Sequence, residues 1–342
     1  MREGQTAAVH NLSLRGQENS LFRLGFGAMG LDGRFGVQDD ETMIESLLYS
    51  LEQGVNFIDT ARAYGRSEEL VGKALKRWGG PRPFVATKVE ARQAPAGYLP
   101  GAGFHYAIPV EAAYPRGSVT ESVEESLRQL DMDCIDLVQM HQYWPQWDDS
   151  DYWMEELIRL REQGKLRFIG VSLPDHRSDL GIGLARSGHI DAIQTIINIF
   201  DSTAFDGLVP VCRDHGVAVI ARVIMDEGGL TGWLKENTEI PPSDYRYQYF
   251  DCVPRSLYMN KVNRLQEYIP DYSDSLAELA VRFVLNDPGV TVALTSMQVR
   301  EYAEANIDAA RKGALPDHLF DSMKVRNRWF RHFYHERRHL DL

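Results

Sequence analysis

Four side chains capable of acid–base chemistry stand at or just beyond the ends of short apolar runs. Asp59 closes the run Val55-Asn56-Phe57-Ile58, and Tyr64 follows on the stretch Thr60-Ala61-Arg62-Ala63-Tyr64-Gly65. Lys88 ends Pro83-Phe84-Val85-Ala86-Thr87, and His141 ends Cys134-Ile135-Asp136-Leu137-Val138-Gln139-Met140. Short β-branched and aromatic runs that stop at a polar residue read as buried parallel strands, each delivering a side chain at the carboxyl edge of a sheet. A phenol beside a carboxylate is a poor proton donor near neutral pH, because phenols titrate near ~10 and a negative neighbour raises that further. A cation between them removes the difficulty, and Lys88 supplies one from the following strand. Singly, each residue has an ordinary structural explanation: a helix cap, an ion pair, a core imidazole, a half-buried ring. Together and in strand order they point to proton transfer.

The elements needed to position them alternate along the chain. A hairpin over about 9 to 23 precedes the first strand of the alternation, Arg23 to Gly30, which runs into a glycine-spaced loop. Asp39 to Gln53 carries Met43, Leu47, Leu48 and Leu51 at helical spacing, and Ser67 to Leu75 is a helix with Ser67 as its N-cap. Ser118 to Leu130 opens on a Ser-x-x-Glu capping box. Further helices are expected at Tyr152 to Gln163, Leu180 to Arg186, Leu208 to His215, Asn260 to Tyr268, Ser275 to Leu285 and Leu315 to Leu342. Strands are expected at Lys165 to Ser172, Ala192 to Ile196, Gly216 to Val223 and Gly289 to Leu294. Two long irregular stretches, Val89 to Gly117 and Lys235 to Arg255, leave from strand ends and read as pocket-shaping loops or lids. After His141, Tyr143 and Trp144 are the candidate substrate-pocket rings, with core or interface packing the competing reading.

The motifs Asp-Thr-Ala-x-x-Tyr-Gly, Ala-Thr-Lys and Ile-Asp-Leu-x-x-x-His, in this order, resemble those of the aldo-keto reductase superfamily, and the resemblance runs from about Leu24 to about Asn306. It implies an α/β fold, a (β/α)8 TIM barrel, with Asp59, Tyr64, Lys88 and His141 as the catalytic tetrad. Tyr64 is then the general acid and base. Lys88 stabilises the phenolate, Asp59 keeps Lys88 charged and placed, and His141 positions the substrate oxygen. The resemblance further implies NADP(H), with NAD(H) possible, and contacts from Gly27 and Met29. Ser172 and Gln194 match residues that hold the nicotinamide amide, while Leu173 stands where the family has Asn. Arg222 takes the place of an aromatic ring that stacks on the nicotinamide, and is read as a cofactor or substrate contact, or else an ion-pair partner. Gly229 and Leu230 belong to a Gly-x-Leu-Thr-Gly pyrophosphate loop. Ser296 and Asn306 fall in the segment contacting the adenosine end. Asn306 matches there, but Ser296, Met297 and Tyr302 depart from the family pattern, leaving the choice of nucleotide open.

Composition bounds the rest. At 342 residues, a barrel of this kind fits as a single domain over 1-342. A net charge of −12 disfavours nucleic acid or a membrane surface as partner, although Arg326, Arg328, Arg331, Arg337 and Arg338 make a basic cluster, read as a solvated helix face. Cys134, Cys212 and Cys252 show neither metal nor disulfide spacing, so no metal is expected. No apolar run approaches the length of a membrane span, and the expected location is cytoplasmic. The resulting expectation is hydride transfer between NAD(P)H and an aldehyde, ketone or sugar-type carbonyl, a small-molecule substrate. A non-catalytic NADP(H)-binding regulatory or redox-sensing subunit is the reading from another class, and a Schiff-base lyase on Lys88 the third. Substrate identity, physiological direction and oligomeric state are not legible.

Overall fold

The computed structural model describes residues 9–14, 17–36, 38–92, 109–150, 152–242, 244–251 and 253–330. Tyr98, Phe104, His105 and Tyr106 of the first irregular stretch, Cys252, and Arg331, Arg337 and Arg338 of the basic cluster lie outside the described residues.

A two-stranded antiparallel hairpin, β1 (Val9–Leu14) and β2 (Gln17–Phe22), precedes the barrel. The barrel strands are β3 (Leu24–Gly27), β4 (Phe57–Asp59), β5 (Phe84–Val89), β6 (Ile135–Met140), β7 (Leu166–Ser172), β8 (Ala192–Ile196), β9 (Ala218–Arg222) and β10 (Val292–Ser296). All pair in parallel and close in the order β10-β3-β4-β5-β6-β7-β8-β9, which makes the fold a (β/α)8 TIM barrel. Helices between the strands bury residues such as Leu47, Val71 and Leu157 against its outside.

Alternation along each strand divides the barrel interior into floors. The lower floor is apolar: Phe57, Phe84, Leu137, Phe168, Ala192, Ala218 and Val292 form one cluster, closed from below by Leu21 of the hairpin. Phe84 stacks between Phe57 and Phe168, at centroid distances of 5.1 and 6.0 Å. Further along the same strands, two residues on from Phe57, Ala86, Leu137 and Ala192, the inward side chains turn polar: Asp59, Lys88, Gln139 and Gln194. Strand register aligns this upper floor, pairing Gly27 with both Asp59 and Ser296, Lys88 with Gln139, and Ser172 with Gln194.

Several local expectations are corrected. Ser67 is the first residue of the helix Ser67–Arg77 rather than its cap; its hydroxyl instead donates to the Ala28 carbonyl at 2.8 Å. The capping box at Ser118 does not form. The helix Ser118–Leu130 begins after Gly117, and its first amides are met by Glu156 of the helix Tyr152–Glu162, through Gly117 N–H at 2.7 Å and Thr120 N–H at 3.1 Å. A carboxylate there also complements the positive end of the helix dipole. A short helix, Val110–Ala113, ends the first irregular stretch, and another, Tyr245–Asp251, lies within the second. The helix Arg255–Arg264 starts earlier than the periodicity indicated because Pro254, which cannot donate to a preceding turn, sets its boundary. The last helix among the described residues is Asp317–Arg326. Arg328 beyond it is bound to Asp206 and Ser202, a packing role rather than a free basic face. Among the described residues, no helix is long and apolar enough to cross a membrane.

Candidate active site

Lys88 is the centre of the upper floor. Its side chain is 1 % exposed, and its Nζ donates to Asp59 Oδ1 at 2.5 Å and to the Thr60 carbonyl at 2.9 Å. The other carboxylate oxygen of Asp59 accepts from Gln139 Nε2 at 3.2 Å and from Gln194 Nε2 at 2.9 Å. Burial opposes the charge on Lys88, but the charge and hydrogen bonds of Asp59 and Tyr64 outweigh it, so the ammonium is held above its ordinary pKa. Tyr64 closes the group from the loop after β4. Lys88 Nζ lies 4.8 Å from the centroid of its ring, and the His141 ring meets it edge-on at 5.7 Å. The arrangement can hold a fixed positive charge next to a phenol, which is what proton donation from that phenol requires.

Asp59, Tyr64 and Gln194 of this group, with His141, line a cavity of about 850 Å³. Gly27, Met29, Ser172, Gln194, Arg222, Ser296 and Asn306 all line it, together with Asp59, Tyr64 and His141. Gln194 does so with its amide nitrogen already committed to Asp59. Arg222 both lines the cavity and makes an ion pair, Nη2 to Asp175 Oδ1 at 2.7 Å, while the same nitrogen also donates to the Leu173 carbonyl at 2.9 Å. Burial opposes its charge too, and Asp175, then Tyr64 and Glu227, raise its pKa nonetheless. The Leu173 side chain, in place of the family's Asn, is fully buried in the core.

Gly229 and Leu230 do not line the cavity; Gly228, Thr231 and Gly232 do. Gly229 is required by packing, since a Cβ there would lie 1.8 Å from the Tyr258 hydroxyl, and Leu230 is fully buried. The turn that presents its neighbours is tied from within by Asp226, which accepts from Tyr249 Oη at 2.7 Å, Tyr258 Oη at 2.5 Å and Asn198 Nδ2 at 3.2 Å.

Tyr143 and Trp144 are corrected as substrate-pocket rings. They are 1 % and 5 % exposed and absent from the cavity wall. The loop turns inward there: Tyr143 donates to Asp148 Oδ2 at 2.7 Å and lies 6.2 Å from Trp153. The aromatic surface near Tyr64 comes instead from Phe35 and Trp233, with Arg246 between them, its Cζ 4.2 Å from the Trp233 ring and 5.5 Å from that of Phe35. Phe35 and Trp233 sit on loops and Arg246 on the short helix Tyr245–Asp251, and no spacing reveals their approach. Gln139 was legible in principle, because it precedes His141 by two positions and so faces the same side of β6.

A nicotinamide dinucleotide fits this cavity on three counts. Its wall holds both the Tyr64 group and the Ser296 to Asn306 segment. Arg222 Nε, Thr295 Oγ1 and Gln298 Oε1, all from lining residues, are buried without a hydrogen-bond partner among the described residues. Buried polar atoms of this kind need a partner, and a polar ligand provides one. The Val223 to Gly232 turn adds left-handed backbone positions on the cavity wall at Val223, Glu227, Gly228 and Gly232, with the Gly228 amide bonded to the Met225 carbonyl at 3.1 Å.

Comparison with known proteins agrees with this fold. The model of the aldo/keto reductase family matches residues 23–325. The chain is 31% identical to aldo-keto reductase YhdN of Bacillus subtilis (strain 168) over 283 residues, 80% of each chain. It is 26% identical to the NADH-specific methylglyoxal reductase of Escherichia coli (strain K12) over 302 residues, 85% of this chain and 90% of the relative. Among solved structures, glycerol dehydrogenase AKR11B4 from Gluconobacter oxydans superposes with a TM-score of 0.74 at 25% identity, covering 94% of this chain and 97% of that one. With 24% identity, aldo-keto reductase AKR11C1 from Bacillus halodurans shares the fold at a TM-score of 0.70, over 94% and 96% of the two chains. A motif order, a closed eight-stranded barrel and a family match over most of the length converge, and the chain belongs to the aldo/keto reductase family of NAD(P)H-dependent oxidoreductases.

Proposed function

We propose that the protein reduces the carbonyl of a small aldehyde, ketone or sugar-type compound, and catalyses the reverse oxidation, with Tyr64 as general acid and base. The observation that carries this reading is the buried Lys88 ammonium, gripped by Asp59 at 2.5 Å and facing the Tyr64 ring at 4.8 Å on the cavity wall. When bound, the nicotinamide supplies or accepts the hydride. Ser172, Arg222 and the turn before Gly232 would hold it near Tyr64, and Ser296, Gln298 and Asn306 would hold the far end. Tyr64 gives its hydroxyl proton to the substrate oxygen. Lys88 then offsets the negative charge left on the phenol oxygen, and Asp59 keeps Lys88 charged and in place. His141, edge-on to Tyr64, positions the substrate oxygen. In the reverse direction the same phenol oxygen takes the proton of the alcohol.

The nucleotide choice leans toward acceptance of NADH. The lining residues at the far end, Ser296, Gln298, Tyr302 and Asn306, are uncharged. The adjoining hollow, of about 720 Å³, carries Glu41, Glu45, Glu52 and Glu301. Its arginine, Arg300, is engaged with Glu304 at 2.8 Å and stacked on Tyr49 at 4.2 Å. A 2′-phosphate placed there meets more negative than positive charge. The similarity to an NADH-specific methylglyoxal reductase supports the same direction.

The test is Tyr64→Phe, assayed with NADH and NADPH against a panel of carbonyls, with nucleotide binding followed by fluorescence. Turnover is expected to fall by at least ~10²-fold while the nucleotide Kd stays within about twofold, and unchanged turnover overturns the assignment. Nucleotide binding without turnover in the unsubstituted protein favours a regulatory subunit instead.

A further inference from the structure

Asp59 and Lys88 lie within barrel strands and His141 directly follows one, whereas Tyr64 rides on the loop between β4 and the helix Ser67–Arg77. Misplacing a reacting group by about 1 Å can cost ~10²-fold in rate. The loop therefore needs an anchor of its own. Part of it comes from below, where Thr60 N–H bonds to the Ala86 carbonyl at 2.9 Å. A further part, next to Tyr64, comes from the neighbouring segment that follows β3.

There, Arg34 Nη2 donates to the Ala63 carbonyl, the peptide unit entering Tyr64, at 2.7 Å. The same guanidinium is aimed by Asp32: Arg34 Nε bonds to Asp32 Oδ2, and the Arg34 backbone N–H bonds to Oδ1 at 3.0 Å. The Asp32 side chain is 8 % exposed and lies directly under the loop. A Cβ added to Gly65 would come within 3.2 Å of Asp32 Cβ, and Gly65 has φ +51, so glycine is needed for this close approach. The Arg34 Cζ stands 5.8 Å from the Tyr64 ring centroid.

We propose that Arg34, aimed by Asp32, is a positioning residue for Tyr64, holding the phenol in register with Lys88. The proposal rests on Tyr64 being the proton donor. A planar fork with donors pointing two ways can serve Asp32 and Ala63 at once, which a lysine ammonium on its flexible stem does not reproduce. Since Arg34 also lines the cavity, a direct contact with nucleotide or substrate is the competing role, and the two separate by measurement.

The experiment uses the full chain and compares Arg34→Ala, Arg34→Lys, Asp32→Asn and the Arg34→Ala/Asp32→Asn double variant with the unsubstituted protein. Readouts are kcat, the fluorescence Kd for NADH, and the solvent deuterium isotope effect on kcat. Arg34→Ala is expected to lower kcat by roughly 10- to 100-fold, leave the NADH Kd within about twofold, and raise the solvent isotope effect as proton delivery becomes slower. Arg34→Lys should act in the same direction, Asp32→Asn more weakly, and the double variant should be no worse than Arg34→Ala alone, because both act through one contact. An unchanged kcat in Arg34→Ala, or a loss expressed in the NADH Kd or in KM rather than kcat, overturns the proposal. So does additivity of the two substitutions. If Tyr64→Phe abolishes turnover while Arg34→Ala leaves kcat unchanged, this inference alone fails. If Tyr64→Phe retains turnover, the reading of Tyr64 fails first.

Discussion

Asp59 and Lys88 are both buried, with side chains 4 % and 1 % exposed, and each is the other's counter-charge. Removing one member of such a pair leaves an uncompensated charge in a poorly solvated interior, which typically costs about 3–5 kcal/mol, whereas removing both is far milder. Lys88→Met should therefore destabilise the protein by about 3–5 kcal/mol in denaturant melts, and Asp59→Asn/Lys88→Met should recover most of that loss while remaining inactive. Equal stability of the two variants would show that Gln139 and Gln194 alone satisfy Asp59. At the other end of the cavity, Tyr302 is 52 % exposed and borders both the cavity and the acidic hollow. A cation there would act as an exposed ion pair toward a 2′-phosphate, worth about 0.5–1 kcal/mol. Tyr302→Arg should tighten NADPH roughly two- to fivefold with little effect on NADH, read from the two dissociation constants at low salt.

Helix starts in this barrel are not all capped from their own sequence. The helix Ser118–Leu130 relies on Glu156, whose Oε2 serves both Thr120 N–H and Thr120 Oγ1, at 3.1 and 3.0 Å. Glu156 is itself nearly buried, 8 % exposed, so its loss strands amides that water reaches poorly. Glu156→Ala should cost about 1–2 kcal/mol in equilibrium denaturation, with Glu156→Gln retaining part of the cap and costing less. No change in either variant would mean that water replaces the carboxylate. Asp39 shows the local alternative: it caps the helix Asp40–Glu52 through Thr42 N–H at 2.9 Å.

For the whole molecule, one cluster joins distant helices and gives acid sensitivity a definite sign. Glu278, on the helix Leu276–Leu285, accepts from Arg282 at 2.9 Å and from Lys312, just past the helix Arg300–Arg311, at 2.6 Å. Burial acts to raise its pKa, but the hydrogen bonds of Lys312 and Arg282 outweigh it, leaving the carboxyl below its usual 4.5. A carboxyl with a depressed folded-state pKa contributes stability that is present above its unfolded value and lost as pH falls through the folded value. Thermal melts should therefore show stability declining in the window below pH 4.5, with a shallower decline in Glu278→Gln. Identical acid limbs would assign the sensitivity to other carboxylates.

Asp59, Lys88 and His141, each at or within one residue of a strand's end, were readable along the chain because a buried parallel strand is a continuous apolar run whose carboxyl end opens on the barrel mouth whatever the loops do. Ser172 and Gln194 were marked by the family resemblance rather than by any local periodicity. Tyr143 and Trp144 were misplaced, since an aromatic ring is equally suited to a pocket wall or a core, and burial follows from how the loop turns after His141. Glu156 as a cap and Arg34 as an anchor for Ala63 were invisible for a related reason. Each joins residues at least twenty-nine positions apart, and such contacts are created by the closing of the barrel, not by any local preference of the chain.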